Sequence, residues 1–182
     1  MFKHKRHTGK LAIAAASILS TAAHASDATS SQMVLIAYEN VAGGESLLAG
    51  KFDTALAEIK QDHSSSPDAY TAKITNQCVA YAAMKQLTLA LTACDVAVKE
   101  AKSERLSAQR YSLASGIQDS YVAIAYTNRA VVHMMAKDAE SAKADMTHAK
   151  ALAPAAEYVS KNLLAMEATA SKIAQADVAA VR

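Results

Sequence analysis

Small, apolar and half-polar residues recur along this chain at three- and four-residue intervals, the spacing that gathers side chains on one helix face. The clearest run is Tyr126, Arg129-Ala130 and His133, followed by Ala142, Met146 and Ala149. It predicts one helix from Ser120 to about Lys137 and a second from Ala139 to about Leu152, with a short turn at Lys137-Asp138. Ala130 and Ala142 carry so little bulk that the two backbones can approach closely. Pro154 stops the second helix, because proline cannot continue the hydrogen-bond ladder. No convincing run of β-branched and aromatic residues with period two is found, so no strand is expected and the chain reads as all-α.

The pattern returns upstream. Ile74, Gln77-Cys78 and Tyr81 are followed by Ala90, Cys94 and Ala97, and "ITNQCVAYA" aligns without a gap on "YTNRAVVHM", sharing Thr-Asn. Lys102 stands where proline would fall, so that second helix need not stop there. An earlier copy runs through Ala42-Gly43, Ala55, Ile59 and Pro67, with Ala55 and Ala90 35 residues apart. Glu39 and Asp62 stand at sites expected to be apolar, so this copy suits an atypical cap.

These residues resemble the tetratricopeptide repeat, a 34-residue helical hairpin that stacks into a superhelix. The resemblance implies a TPR-like α-α superhelix of about three hairpins, at 36–69, 71–104 and 123–156, inside a domain spanning 36–182. Arg129, His133 and Met146 depart from the family's usual Leu, Tyr and aromatic residue. The expected packing positions are Gly43, Ala55, Cys78, Ala90, Ala97, Ala130, Ala142 and Ala149, with Pro154 as the stop.

An insertion at 105–122 separates the second and third copies. Either it lengthens the two flanking helices by about two turns each, broken near Ser115-Gly116 and capped at Asp119 or Ser120, or it is a plain surface loop. After Pro154, apolar residues at Tyr158, Leu163, Met166, Ile173 and Val181 suit a C-terminal capping helix over 156–180.

Composition changes the picture at the N-terminus. Lys3, Lys5, Arg6 and Lys10 precede an apolar stretch, "LAIAAASILSTAA", and then Ala23-His24-Ala25. That order reads as a signal peptide over 1–25, cut after Ala25, with export to the periplasm or beyond. Residues 26–35 are expected to form a polar, disordered leader. The whole chain carries a net charge of +2, but loss of the four basic residues leaves 15 basic against 17 acidic, a balance of −2. The mature chain has no basic patch for nucleic acid, and no later apolar run could span a membrane.

Cys78 and Cys94 fall on the two helices of one hairpin, both facing inward. An oxidised pair suits an exported protein, and two buried free thiols are the other reading. His133, His148, Met134, Met135 and Met146 raise copper, yet methionine at helical spacing is more often core, and no metal or other cofactor is expected. No nucleophile elbow, zinc helix or phosphate loop is found, and Asp53, Glu58, Asp138 and Glu140 fall on solvated faces, so no enzyme is expected.

The family resemblance implies that the first helix of each hairpin lines a concave groove. Its residues here would be Asn40 and Gly44, then Thr75, Val79, Ala82 and Ala83, then Thr127, Val131, Met134 and Met135. These are small and apolar, which suits an apolar helix or extended segment of a protein partner. The alternative is that the C-terminal helix or the insertion covers them. The expected function is a non-catalytic protein-interaction scaffold, with self-association through the groove as a variant. A periplasmic small-molecule or copper-binding module is the rival.

Overall fold

The computed structural model describes residues 13–17, 32–64, 66–111 and 116–180, with backbone alone for 13–17 and 173–180. Among the described residues the protein is all-α: seven helices account for nearly everything except a short two-stranded ladder. The strands are β1 (Ile13–Ser17) and β2 (Val34–Tyr38). The helices are α1 (Gly44–Leu48), α2 (Phe52–Gln61), α3 (Pro67–Ala83) and α4 (Leu87–Arg110), then α5 (Gly116–Met135), α6 (Ala139–Leu152) and α7 (Glu157–Ala180).

Helix α3 starts because Ser66 accepts a hydrogen bond from the Ala69 N–H at 3.3 Å and Pro67 opens the first turn. Helix α6 starts because Asp138 accepts from the Ser141 N–H at 3.0 Å. Helices α3 and α4 pack as one hairpin, α5 and α6 as the next, and α4 bridges to α5. The two hairpin turns close in the same way. Lys85 and Lys137 take left-handed φ values of 60° and 64°. The following amides, Gln86 and Asp138, each reach back 2.9 Å to the Tyr81 and His133 carbonyls. Gly50 makes the same turn between α1 and α2, with Lys51 bonded to the Ser46 carbonyl at 2.8 Å.

The small residues sit where helices touch. Gly43, Ala55, Cys78, Ala90, Ala97, Ala130, Ala142 and Ala149 are all buried. Pro154 is exposed just past α6, a stop without a packing role. Cys78 and Cys94 are bonded to one another, their Cα atoms 5.0 Å apart, stitching α3 to α4. A link closing so short a loop contributes about 3 kcal/mol in the chain-entropy account.

Three expectations need correction. The first is the absence of strands, because β2 is a buried strand and takes Val34 and Leu35 out of the expected disordered leader. The stretch "VLIAY" is a short continuous apolar run, which periodicity cannot assign to strand or helix. The second is the 36–69 hairpin. Its leading half is β2, a turn at 39–43 and the five-residue α1, so only α2 and the Gly50 turn follow the repeat. Gly43 (φ 79°) and Gly44 make that turn, and a Cβ on Gly44 would stand 2.1 Å from the Tyr38 carbonyl oxygen.

The third is the cap at Asp119 or Ser120. Helix α5 already begins at Gly116, so Asp119 lies in its first turn and Ser120 just beyond it, with the Ser120 hydroxyl bonded back to the Gly116 carbonyl. The inserted residues lengthen α4 to Arg110 and start α5 early, which is the extended-helix reading. The cleavage position at Ala25, the polar leader over 26–31, Ser115 and Val181 lie outside the described residues, and the side chain of Ile173 is not described.

Candidate functional site: a strand held edge-on by three asparagines

Helices α3, α5 and α7 all touch β2, and α1 flanks it. The strand crosses the three helices in reverse order, from α7 at Val34 to α3 at Tyr38. It then turns through Gly43-Gly44 into the start of the helical stack.

One asparagine from each helix holds it. Asn162 accepts from the Val34 N–H at 2.6 Å and donates to the Val34 carbonyl at 2.9 Å. Asn128 does the same to Ile36, both bonds being 2.8 Å. Asn76 accepts from the Tyr38 N–H at 2.7 Å and donates to the Tyr38 carbonyl at 2.9 Å, with a further bond to the Ala42 carbonyl at 3.2 Å. All three side chains are no more than 1% exposed. A side-chain amide has the same donor and acceptor as a peptide unit, so each asparagine stands in for a neighbouring strand.

Alternate strand residues are about 6.6 Å apart, whereas packed helices sit about 8–10 Å apart axis to axis. The three asparagine amides nevertheless meet alternate residues of the strand, in step with the pleat.

Because residues 34, 36 and 38 turn their backbone groups to the asparagines, those of Leu35 and Ala37 point the other way. That outer edge pairs with β1 antiparallel, Ala16 opposite Leu35 and Ala14 opposite Ala37. The side chains alternate between two cores. Leu35 and Ala37 join Cys78, Val79, Ala82 and Val131, while Ile36 and Tyr38 join Ala72, Val122, Tyr126 and Tyr158. The Tyr38 ring meets Tyr121 edge-on at 5.6 Å. Burial, with Tyr121, Tyr158 and Glu104 nearby, pushes the Tyr38 phenol well above its ordinary pKa.

The expected groove residues divide accordingly. Thr75, Val79, Ala82, Thr127 and Val131 lie on α3 and α5 but are buried, with Val79, Ala82 and Val131 packed in one core with Leu35 and Ala37 of β2. Ala83, Met134 and Met135 are half-buried. Asn40 is corrected: it is exposed in the turn after β2, on no helix, while Gly44 is buried at the start of α1. Thr75 and Thr127 spend their hydroxyls on carbonyls one turn back in their own helices, at 2.9 and 2.8 Å. Their neighbours Asn76 and Asn128 make the contact. The Thr-Asn pair shared by the two copies was the available signal; at Asn162, 34 residues after Asn128, the asparagine recurs behind Lys161 instead of threonine.

Arg129 explains one departure from the family pattern. It forks onto Asp145 at 2.7 and 2.8 Å, reaches Asp95 at 2.8 Å and lies over the Tyr126 ring at 5.5 Å. It thereby ties α4, α5 and α6 together. Its hydrogen bonds to Asp145, ahead of the nearby charges, hold the guanidinium even more firmly protonated than usual.

The residues that raised copper are scattered in role. Met146 is fully buried core, His148 stacks on Tyr126 at 4.9 Å, and His133 Nδ1 stands 3.4 Å from Asp138. Among the described residues no three His, Cys, Asp or Glu side chains cluster to hold a metal, and no helix is long and apolar enough to cross a membrane.

No family model, curated protein or solved structure matches this chain.

Proposed function

We propose that this protein is an exported, non-catalytic protein-interaction scaffold of tetratricopeptide-like hairpins that engages a partner at its concave face. The carrying observation is the row of Asn76, Asn128 and Asn162, which grips an extended segment through its backbone alone. A groove that satisfies peptide groups in this way is built for extended chain. Because β2 fills it, the helices act as a cradle and the partner meets the strand and the rim. Little chain has to be ordered on binding, which keeps the entropic cost low.

The test is site-specific photocrosslinking in the exporting cell. Crosslinkers at Met33 and Asn40, which flank β2, are expected to give a discrete protein adduct, and one at Lys143 on α6 is expected to give none. Absence of an adduct at both flanking positions, or equal adducts at Lys143, overturns the reading.

A further inference from the structure

The outer edge of β2 carries the furthest inference. Its inner edge is saturated by the three asparagines, and among the described residues its outer edge is met by β1 alone. Among the described elements β1 in turn touches β2 and α1 alone. The sequence reading puts Ile13–Ser17 inside the segment removed at Ala25. The geometry points to β1 as a placeholder: once it is cut away, the Leu35 and Ala37 edge takes an extended, small-residue segment of a partner protein, added antiparallel. This deepens the scaffold reading and rests on it.

Three observations define the occupant. The peptide groups of Leu35 and Ala37 must find partners, since bare strand edges template pairing. The segment seated there is Ile-Ala-Ala-Ala-Ser, three of its five residues alanine, and its backbone runs beside α1. The strand's own side chains are buried in two cores, so helices flank it on both sides. A second copy would bring an equally recessed strand, and the flanking helices would meet before the edges did. A free extended segment can enter where a second copy cannot.

The experiment compares the chain purified after export with the full chain kept unexported. Mass measurement reads where each begins. Amide exchange is expected to be slow at Ile36 and Tyr38 in both, and fast at Leu35 and Ala37 only after export. The probe is a labelled peptide of residues 11–19 with a lysine tail. It is expected to bind the exported chain at least tenfold more tightly than the full chain, and to slow exchange at Leu35 and Ala37. N-methylation of peptide Ala14 or Ala16, which removes a ladder donor, is expected to weaken binding at least tenfold. N-methylation of Ala15 should change it less than twofold.

An exported chain that retains 13–17 overturns the export reading and this proposal together. A chain that starts at Ser26 yet shows protected Leu35 and Ala37 overturns this proposal alone. So does failure to bind the peptide, or indifference to methylation at Ala14 and Ala16.

Discussion

Asn162 lies 34 residues beyond Asn128 and binds Val34 as Asn128 binds Ile36, one repeat along the helices matching two residues along the strand. Helix α7 therefore does more than cover the last hairpin. It holds the strand as α5 does, through a buried asparagine amide.

These asparagines are expected to matter for folding more than any apolar residue of similar size. Asn128→Ala leaves the Ile36 N–H and carbonyl buried without partners, at about 1–3 kcal/mol each. Urea unfolding of the variant should show a loss of about 3 kcal/mol; a loss below about 1 kcal/mol would show the bonds to be dispensable. Asn128→Asp keeps the acceptor but not the donor when ionised. Its folded-state pKa should be raised, so its stability should fall as pH rises from about 4 to 7.

Arg129 and Asp145 are expected to behave as a unit. Asp145 is 4% exposed. Arg129→Leu strands its carboxylate and should cost about 3–5 kcal/mol. Adding Asp145→Leu should recover most of that loss, because a buried pair replaced as a whole is often near neutral. A double variant no better than the single, by calorimetry, would rule out the pairing as the cause.

Lys85 and Lys137 occupy turns that favour glycine, as Gly50 does in the α1–α2 turn. A left-handed non-glycine residue costs about 1–2 kcal/mol, part of which glycine's greater freedom in the unfolded chain cancels. Lys85→Gly and Lys137→Gly should each raise stability by about 0.5–1 kcal/mol. Gly50→Lys should lower it by a similar amount. A cavity term does not enter, since a Cβ at Gly50 meets nothing within 4 Å.

Tyr158 has a buried hydroxyl that finds no hydrogen-bond partner among the described residues, and burial pushes its pKa up to about 12. An acid whose pKa is raised on folding contributes stability that is complete below its unfolded pKa and lost as pH climbs through the folded one. Stability should therefore hold to about pH 10 and fall between 10 and 12. Tyr158→Phe should be neutral or stabilising by about 1 kcal/mol at pH 7, with a shallower alkaline decline. The decline should not vanish, because Tyr38 and Tyr121 are raised as well, both mainly by burial.

Helical spacing and small residues made α5, α6 and α7 legible to within a few residues, and the inward pair Cys78 and Cys94 meets as one of its two readings allowed. The strand was not legible. Five apolar residues carry no period that separates strand from helix, and what fixes β2 as extended is a set of amides 38, 92 and 128 residues away. Asn76 and Asn128 were visible as a repeated Thr-Asn pair, but sequence spacing does not tell which member faces inward. The threonine side was expected to line the groove, whereas the asparagines hold the strand. Arg129 looked like a flaw in the repeat because its partner, Asp145, sits on the neighbouring helix.

The route of β2 also sets a timetable for assembly. Val34 emerges early in synthesis, yet its asparagine belongs to the last helix, 128 residues later. Until α7 exists the cradle lacks its third arm, and the strand cannot be fully seated. Long-range closure of this kind slows folding. The strand thus stays unsecured while the intervening helices are made, and locks only once α7 can close over Val34.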